Sequence, residues 1–300
     1  SEMCIRDRDI DRAIELLEKA RETTLAENNK SHINLYVALG IKSRACLAEG
    51  DWDGAFKAAK RVIDEGGYAV GTKSDLTGGM NSLDKQNVMW GAGIQVADQA
   101  GGYAGFFTHM DNKEGAYAKS APKLISKQLY NRISATDIRR DWWDPSDKES
   151  PYVSKKFSFA NVASFLGDYI YMRVEEMYFT AAEAALRLDD LKSARELMNT
   201  VMAERDPGYS ANNRSGTLLG ATTTTWTGSF LENILTHRRI ELWGEYGRLF
   251  DVRRLGQGID RRTDDGFSEE CISMMNRRNV NITKADTYDW VLLSLIHISE

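Results

Sequence analysis

Apolar residues recur at three- and four-residue steps in several stretches of this 300-residue chain, the spacing that gathers them on one face of a helix. Ile10, Ile14, Leu17 and Leu25 predict a helix over 9–27, broken by Asn28-Asn29-Lys30-Ser31. Ser31 is placed to cap a second helix over 32–49. A turn at Gly50-Asp51 leads to a third helix over 52–64, which ends at Gly66-Gly67. Further on, the pattern predicts a helix over 168–188, a turn at Asp189-Asp190 and a helix over 191–204. The two hairpins superpose. A shift of 139 residues (184 minus 45) lays Ala45 on Ala184, Leu47 on Leu186, Asp51 on Asp190, Trp52 on Leu191, Ala55 on Ala194 and Val62 on Val201. Small residues at matching places let antiparallel helices approach closely, the packing logic of tetratricopeptide units.

The richest pattern runs over 229–256. Leu231, Ile234, Leu235, Leu242, Trp243, Tyr246, Leu249 and Phe250 repeat with a helical period. Charges are interleaved: Arg238, Arg239, Glu241, Glu245, Arg248, Asp251, Arg253 and Arg254. On one continuous helix Arg238 would face Glu241, and Arg248 would lie between Glu245 and Asp251. Such partly shielded pairs secure register more reliably than net stability; a solvated charged face is the plainer alternative.

The segment 68–167 between the hairpins has another character. Val88, Met89 and Trp90 predict a short strand before Gly91-Ala92-Gly93. A loop over 97–120 is rich in glycine and aromatics, a short helix is expected over 124–130, and Gly208 to Gly228 is a polar loop with four consecutive threonines at 222–225.

Two stretches resemble one family. Arg238-Arg239-Ile240-Glu241-Leu242, followed by Glu245, Arg248, Asp251, Arg253 and Arg254, is similar to the C-terminal signature of the SusD/RagB family. That signature reads roughly ERRxEL, EGxR and DLxR; its members are glycan-binding lipoproteins of the Bacteroidetes outer membrane. His237 stands where the family usually has Glu, and Tyr246-Gly247 reverses the usual order of Gly and a larger residue. The segment from Tyr171 to Ala184 resembles the family's RLAEVYLxxAEA, and Asp137 with Arg139 matches a recurring D-x-R element. Residues 286–291 resemble its final strand.

The resemblance implies a mainly α fold, a SusD-like superhelix of tetratricopeptide-like hairpins with long loops and a few short strands. We take 9–292 as one domain: hairpins 32–65 and 168–205, a loop-rich binding segment 68–167 and the signature helix 229–256. The ends, SEMCIRDR at 1–8 and LSLIHISE at 293–300, break the adjacent patterns and resemble translated adapter sequence; they are treated as non-native. Cys4 is not preceded by an apolar export segment.

Composition narrows the chemistry. A net charge of −5 without a basic block argues against nucleic acid. The three cysteines form no CxxC, and the four histidines are isolated, so no metal or cofactor is called for. No apolar run approaches the roughly 18 residues of a membrane span. No nucleophile elbow or phosphate loop appears.

The resemblance implies non-catalytic capture of an oligosaccharide at the outer cell surface. The glycan would pass to a TonB-dependent SusC-like transporter, with 32–65 as the transporter-facing scaffold and a lipid anchor in the full-length protein. A sugar ring can lie on an aromatic face while polar groups bind its hydroxyls. Candidate ligand residues are therefore Trp142 and Trp143 with Asp141 and Asp144, and Tyr103, Phe106, Phe107 and Asn112. The signature residues Arg238, Arg239, Glu241, Glu245, Arg248, Asp251 and Arg254 are expected to be structural. A plain tetratricopeptide interaction module is the alternative. An α-helical glycosidase would need a carboxylate pair, for which only Asp141, Asp144 and Asp147 sit in a plausible loop.

Overall fold

A computed structural model of the chain describes residues 2–21, 29–98, 105–245 and 247–258; the side chains of 2–7 and 21 are not described. The fold is mainly α. Helix α1 (Glu2–Arg21) packs on α2 (Leu35–Glu49), which forms a hairpin with α3 (Trp52–Glu65). The second hairpin, α8 (Val174–Arg187) and α9 (Leu191–Ala203), stacks against α3 through α8. Helix α10 (Phe230–Glu241) closes the other side of α8. One apolar core runs through the stack, from Leu39, Ala59 and Val62 through Val174, Phe179 and Ala182 to Met198, Phe230 and Ile234.

The repeat predicted between the hairpins holds at atomic detail. Asp51 and Asp190 both cap the second helix of their hairpin, accepting from the amides of Gly54 and Ser193. The residues before them, Gly50 and Asp189, share a left-handed backbone with φ of 81° and 62°. Ala55, Ala194, Ala184, Val62 and Val201 are buried. Small side chains at the crossing allow the close approach.

The space between hairpins is filled by short elements: α4 (Lys73–Thr77), β1 (Val88–Ala92), a 3-10 turn (Val96–Asp98), α5 (Phe106–Met110), α6 (Ala116–Ser120), α7 (Lys127–Tyr130), a second 3-10 turn (Ile138–Trp142), β2 (Trp143–Asp144), β3 (Val153–Ser154) and β4 (Tyr169–Arg173). The last helix is α11 (Arg248–Arg254). Strand β1 pairs antiparallel with β4, setting Val88 opposite Arg173 and Gly91 opposite Ile170. Strands β2 and β3 form a second pair.

Three local expectations are corrected. The helix predicted over 168–188 begins only at Val174, because Tyr169–Arg173 is a strand held by β1. Its aromatic and β-branched residues suit that pairing. Asn34, not Ser31, caps α2, accepting from the Val37 amide. The single helix expected over 229–256 is two helices. Gly244 and Gly247 take φ of 74° and 96° between them, a backbone sense that no α-helix sustains. Tyr103, residue 246, the strand expected at 286–291 and the end 293–300 lie outside the described residues.

Candidate functional site

The break between α10 and α11 places the signature side chains against distant parts of the chain. Glu241 is fully buried and shared by three arginines. Its Oε1 accepts from Arg173 Nη1 at 3.0 Å and Arg205 Nη2 at 2.9 Å; its Oε2 accepts from Arg139 Nη1 at 3.1 Å and Arg205 Nε at 3.2 Å. Asp137 holds the other side of Arg139, and Glu175 the other side of Arg205. Glu245 accepts from Arg173 and Lys156. Four cations (Arg139, Lys156, Arg173, Arg205) thus meet four carboxylates (Asp137, Glu175, Glu241, Glu245). Burial opposes the charge on Glu241, but Arg205, Arg173 and Arg139 hold its carboxyl well below the usual value. Burial lowers Lys156 to about 8, although Glu245 works against the shift.

A second ionic group joins α8 to α2, α10 and α11. Glu176 accepts two bonds from Arg44 of α2, and Glu183 accepts two from Arg254, each at 2.7 Å. Arg238 donates to Asp251 at 3.1 Å and to the hydroxyl of Thr180 at 3.2 Å, with Glu176 at 3.5 Å. The expected Arg238–Glu241 step is therefore absent from the hydrogen bonds of Arg238: Arg139, Arg173 and Arg205 take both oxygens of Glu241, and Arg238 turns to α8 and to Asp251 of α11. Arg239 is half-buried and donates to the Thr223 carbonyl at 3.3 Å. Arg248 is lowered to about 10 by burial, against the pull of Asp251. The two stretches that carry the sequence resemblance thus complete one another: Arg173, Glu176 and Glu183 meet Glu241, Arg238 and Arg254.

Glu245 also lines a cleft of about 220 Å³ with Met80, Phe106, Phe157, Tyr169, Ile170 and Tyr171. Strand β4 supplies three of these walls and the loop between α4 and β1 supplies Met80, which holds a left-handed φ of 51°. That conformation costs a side-chain-bearing residue roughly 1–2 kcal/mol. Phe106 stands edge-on to Phe107 and Phe157, with ring centres 5.2 Å apart in each pair. The Phe106 amide donates to the Tyr169 hydroxyl at 3.1 Å, pinning α5 to the cleft wall. At the rim Tyr171 is exposed and stands edge-on to Trp90 at 5.1 Å.

The candidates named from sequence scatter. Trp142 and Trp143 lie in the core at 2% and 1% exposure, so neither offers a face to ligand. Trp142 donates to the Leu76 carbonyl, and Trp143 backs the cleft through Trp243 and Phe157. Asp141 is exposed beside them, and Asp144 is occupied by the Ser146 amide and hydroxyl, as Asp147 is by the amides of Glu149 and Ser150. Phe107 is buried, and Asn112 spends its amide on the backbone of Lys123 and Ser154. Phe106 alone of the described candidates reaches the cleft. The sequence reasoning missed Met80, Phe157, Tyr169, Ile170 and Tyr171. The Tyr-Ile-Tyr run after Gly167 was the available signal, since its alternation is that of a half-buried strand.

Among the described residues no group of His, Cys, Asp and Glu could hold a metal ion. No helix among them is long and apolar enough to cross a membrane. The SusD family model matches residues 107–291, more than half of the chain. The chain belongs to the SusD family. Its fold is similar to that of a SusD-like carbohydrate binding protein from Bacteroides vulgatus, at 28% identity and a TM-score of 0.65, covering 84% of this chain and 52% of that one. A SusD superfamily protein from Bacteroides thetaiotaomicron matches at 21% identity and a TM-score of 0.69, over 94% of this chain and 62% of that one. Surface glycan-binding protein A from Bacteroides uniformis matches at 18% identity and a TM-score of 0.53, over 83% and 57%. The chain therefore spans between half and two thirds of the length of these SusD relatives. No curated protein matches it.

Proposed function

We propose that the chain binds oligosaccharide without cutting it, in the cleft walled by Phe106, Phe157, Tyr169 and Tyr171. The observation that carries this reading is the aromatic cleft with one carboxylate at its edge, on a chain of the SusD family. Tyr171 presents a ring at the rim for a sugar's C–H face, and Glu245 can accept from a hydroxyl. Among the described residues Glu245 is the sole carboxylate lining the cleft, whereas glycosidic cleavage ordinarily needs two across the scissile bond. In this reading the protein is a surface lipoprotein of the outer membrane. It delivers its glycan to a TonB-dependent SusC-like transporter, with α2 and α3 toward the partner.

The test is calorimetric titration with soluble oligosaccharides, paired with Tyr171→Ala. The exposed ring can be removed without opening the core, and the loss of roughly 1–1.4 kcal/mol of aromatic contact weakens binding about five- to tenfold. Chromatography of the glycan after long incubation should recover it uncut; shortened products would sink the non-catalytic reading. Co-purification of a TonB-dependent transporter from outer membranes tests the delivery step.

A further inference from the structure

The cleft's charge chemistry narrows what it can hold. Lys156 and Arg173 lie directly behind Glu245, and both are fully buried. An ammonium has three N–H donors and a guanidinium five. Lys156 directs its three at the carbonyls of Glu241 and Trp243 and at Glu245 Oε1. Arg173 directs Nε at Glu245 Oε2, Nη2 at Glu245 Oε1 and the Glu241 carbonyl, and Nη1 at Glu241 Oε1, with Glu175 Oε2 beside Nη1 as an ion-pair neighbour at 3.1 Å. Every nitrogen of these two cations is therefore engaged inside the protein.

Glu245 differs. A carboxylate has about four lone-pair sites, and three are taken, two on Oε1 and one on Oε2. One site on Oε2 is left, and Glu245 is the charged group among the described cleft residues. The remaining polar groups on the wall are the phenols of Tyr169 and Tyr171. Counted together with Glu245 itself, the cluster's four cations and four carboxylates cancel, so it supplies no net attraction for an anion.

We propose that this cleft selects uncharged sugar residues and rejects those bearing carboxylate or sulfate. The proposal rests on the cleft being the glycan site. A hydroxyl can donate to the open edge of Glu245. A uronate or sulfate entering the same place would lose its water against an apolar wall and meet a carboxylate, without a free cation among the described cleft residues to pair with. A cleft of about 220 Å³ is below the range of about 300–1,000 Å³ that holds drug-sized ligands, and has room for about one sugar ring. Selection would thus act on a single residue of the chain that enters.

The experiment uses the full chain with matched polymers: homogalacturonan and its full methyl ester, galactan and its sulfated form, and xylan with and without glucuronate branches. These sit within a wider panel of neutral and acidic polysaccharides, and Phe106→Ala and Tyr171→Ala are run beside the parent protein. The expected result is binding to at least one neutral polymer, loss of about fivefold or more in the two variants, and binding at least about tenfold weaker for the acidic member of that pair. Affinity for the neutral polymer should also hold steady from roughly 20 to 500 mM salt, because no exposed ion pair is involved. An acidic polymer bound as tightly as its neutral partner, with the loss in Tyr171→Ala preserved, overturns the selectivity and leaves glycan binding intact. Binding untouched by both variants places the sugar elsewhere, overturning the selectivity and the cleft as the site while leaving glycan binding itself intact. No binding to any glycan overturns the functional reading and the selectivity with it.

Discussion

Replacing Glu241 with glutamine changes one atom and removes one charge from the place where three buried arginines meet. Each carboxylate oxygen of Glu241 accepts two N–H bonds between 2.9 and 3.2 Å. The amide keeps one acceptor and turns the other into a donor facing donors. Arg139 retains Asp137, and Arg205 retains Glu175, so the loss is that of one partner from a buried ionic group, about 3–5 kcal/mol. Whole domains are stable by only about 5–15 kcal/mol. For a chain of 150–250 residues each kcal/mol moves Tm by about 2–4 °C, so Glu241→Gln should lower Tm by about 6–20 °C. Scanning calorimetry reads this directly, with Lys57→Ala as control, since the Lys57–Asp53 pair is exposed and its loss should leave Tm in place. A fall of less than about 2 °C for Glu241→Gln would refute the reasoning: the arginines would then be compensated without Glu241, and the ionic centre would not hold the fold.

Acid should act on the same centre in two stages. His237 is held well below its ordinary 6.5 by burial and by Arg139 and Arg214, so the unfolded chain takes the proton first and urea stability falls as pH drops below 6.5, by at most about 1.4 kcal/mol per pH unit. His237→Gln should flatten that limb; an unchanged slope would acquit the histidine. Glu241 and Asp251 are depressed by their arginines, from ordinary values of 4.5 and 3.8. Their contribution is complete above those values and lost as pH falls through the lower folded ones, so a second, steeper fall is expected below about pH 4.5, and a urea midpoint level from pH 5 to 3 would contradict it. Gly244→Ala should lower the free energy of unfolding in urea by roughly 1–2 kcal/mol from its left-handed backbone alone, with more from the added Cβ meeting Phe157 at 2.6 Å. A neutral substitution there would mean that α10 and α11 can join differently.

The helical scaffold was legible because its signals are local. Caps such as Asp51 and Asp190, the small residues at 55, 184 and 194, and the 3.6-residue period are all written within one hairpin. Ionic partners were not legible in the same way. Helical spacing paired Arg238 with Glu241, yet its partners lie on α8 and α11, because two left-handed glycines turned the chain. The strand Tyr169–Arg173 read as helix because its pairing with β1 is set some 80 residues away in sequence. Adjacent tryptophans suggested a sugar platform, but both rings were needed in the core between α4 and Trp243. The cleft itself draws on residues 80, 106, 157, 169–171 and 245, a grouping that no window along the chain contains.

The sharing of Glu241 also sets an order of assembly. Arg139, Arg173 and Arg205 are all synthesised before the carboxylate that joins them. A chain that has emerged only as far as Arg205 can form the α2–α3 and α8–α9 hairpins, but burying its three guanidinium groups would leave their common acceptor missing. They stay in water until α10 arrives, and the intermediate remains open along the seam that later closes. The ribosome delivers Glu241 after all three arginines, so this centre closes late and over long sequence distances, the kind of topology that folds slowly.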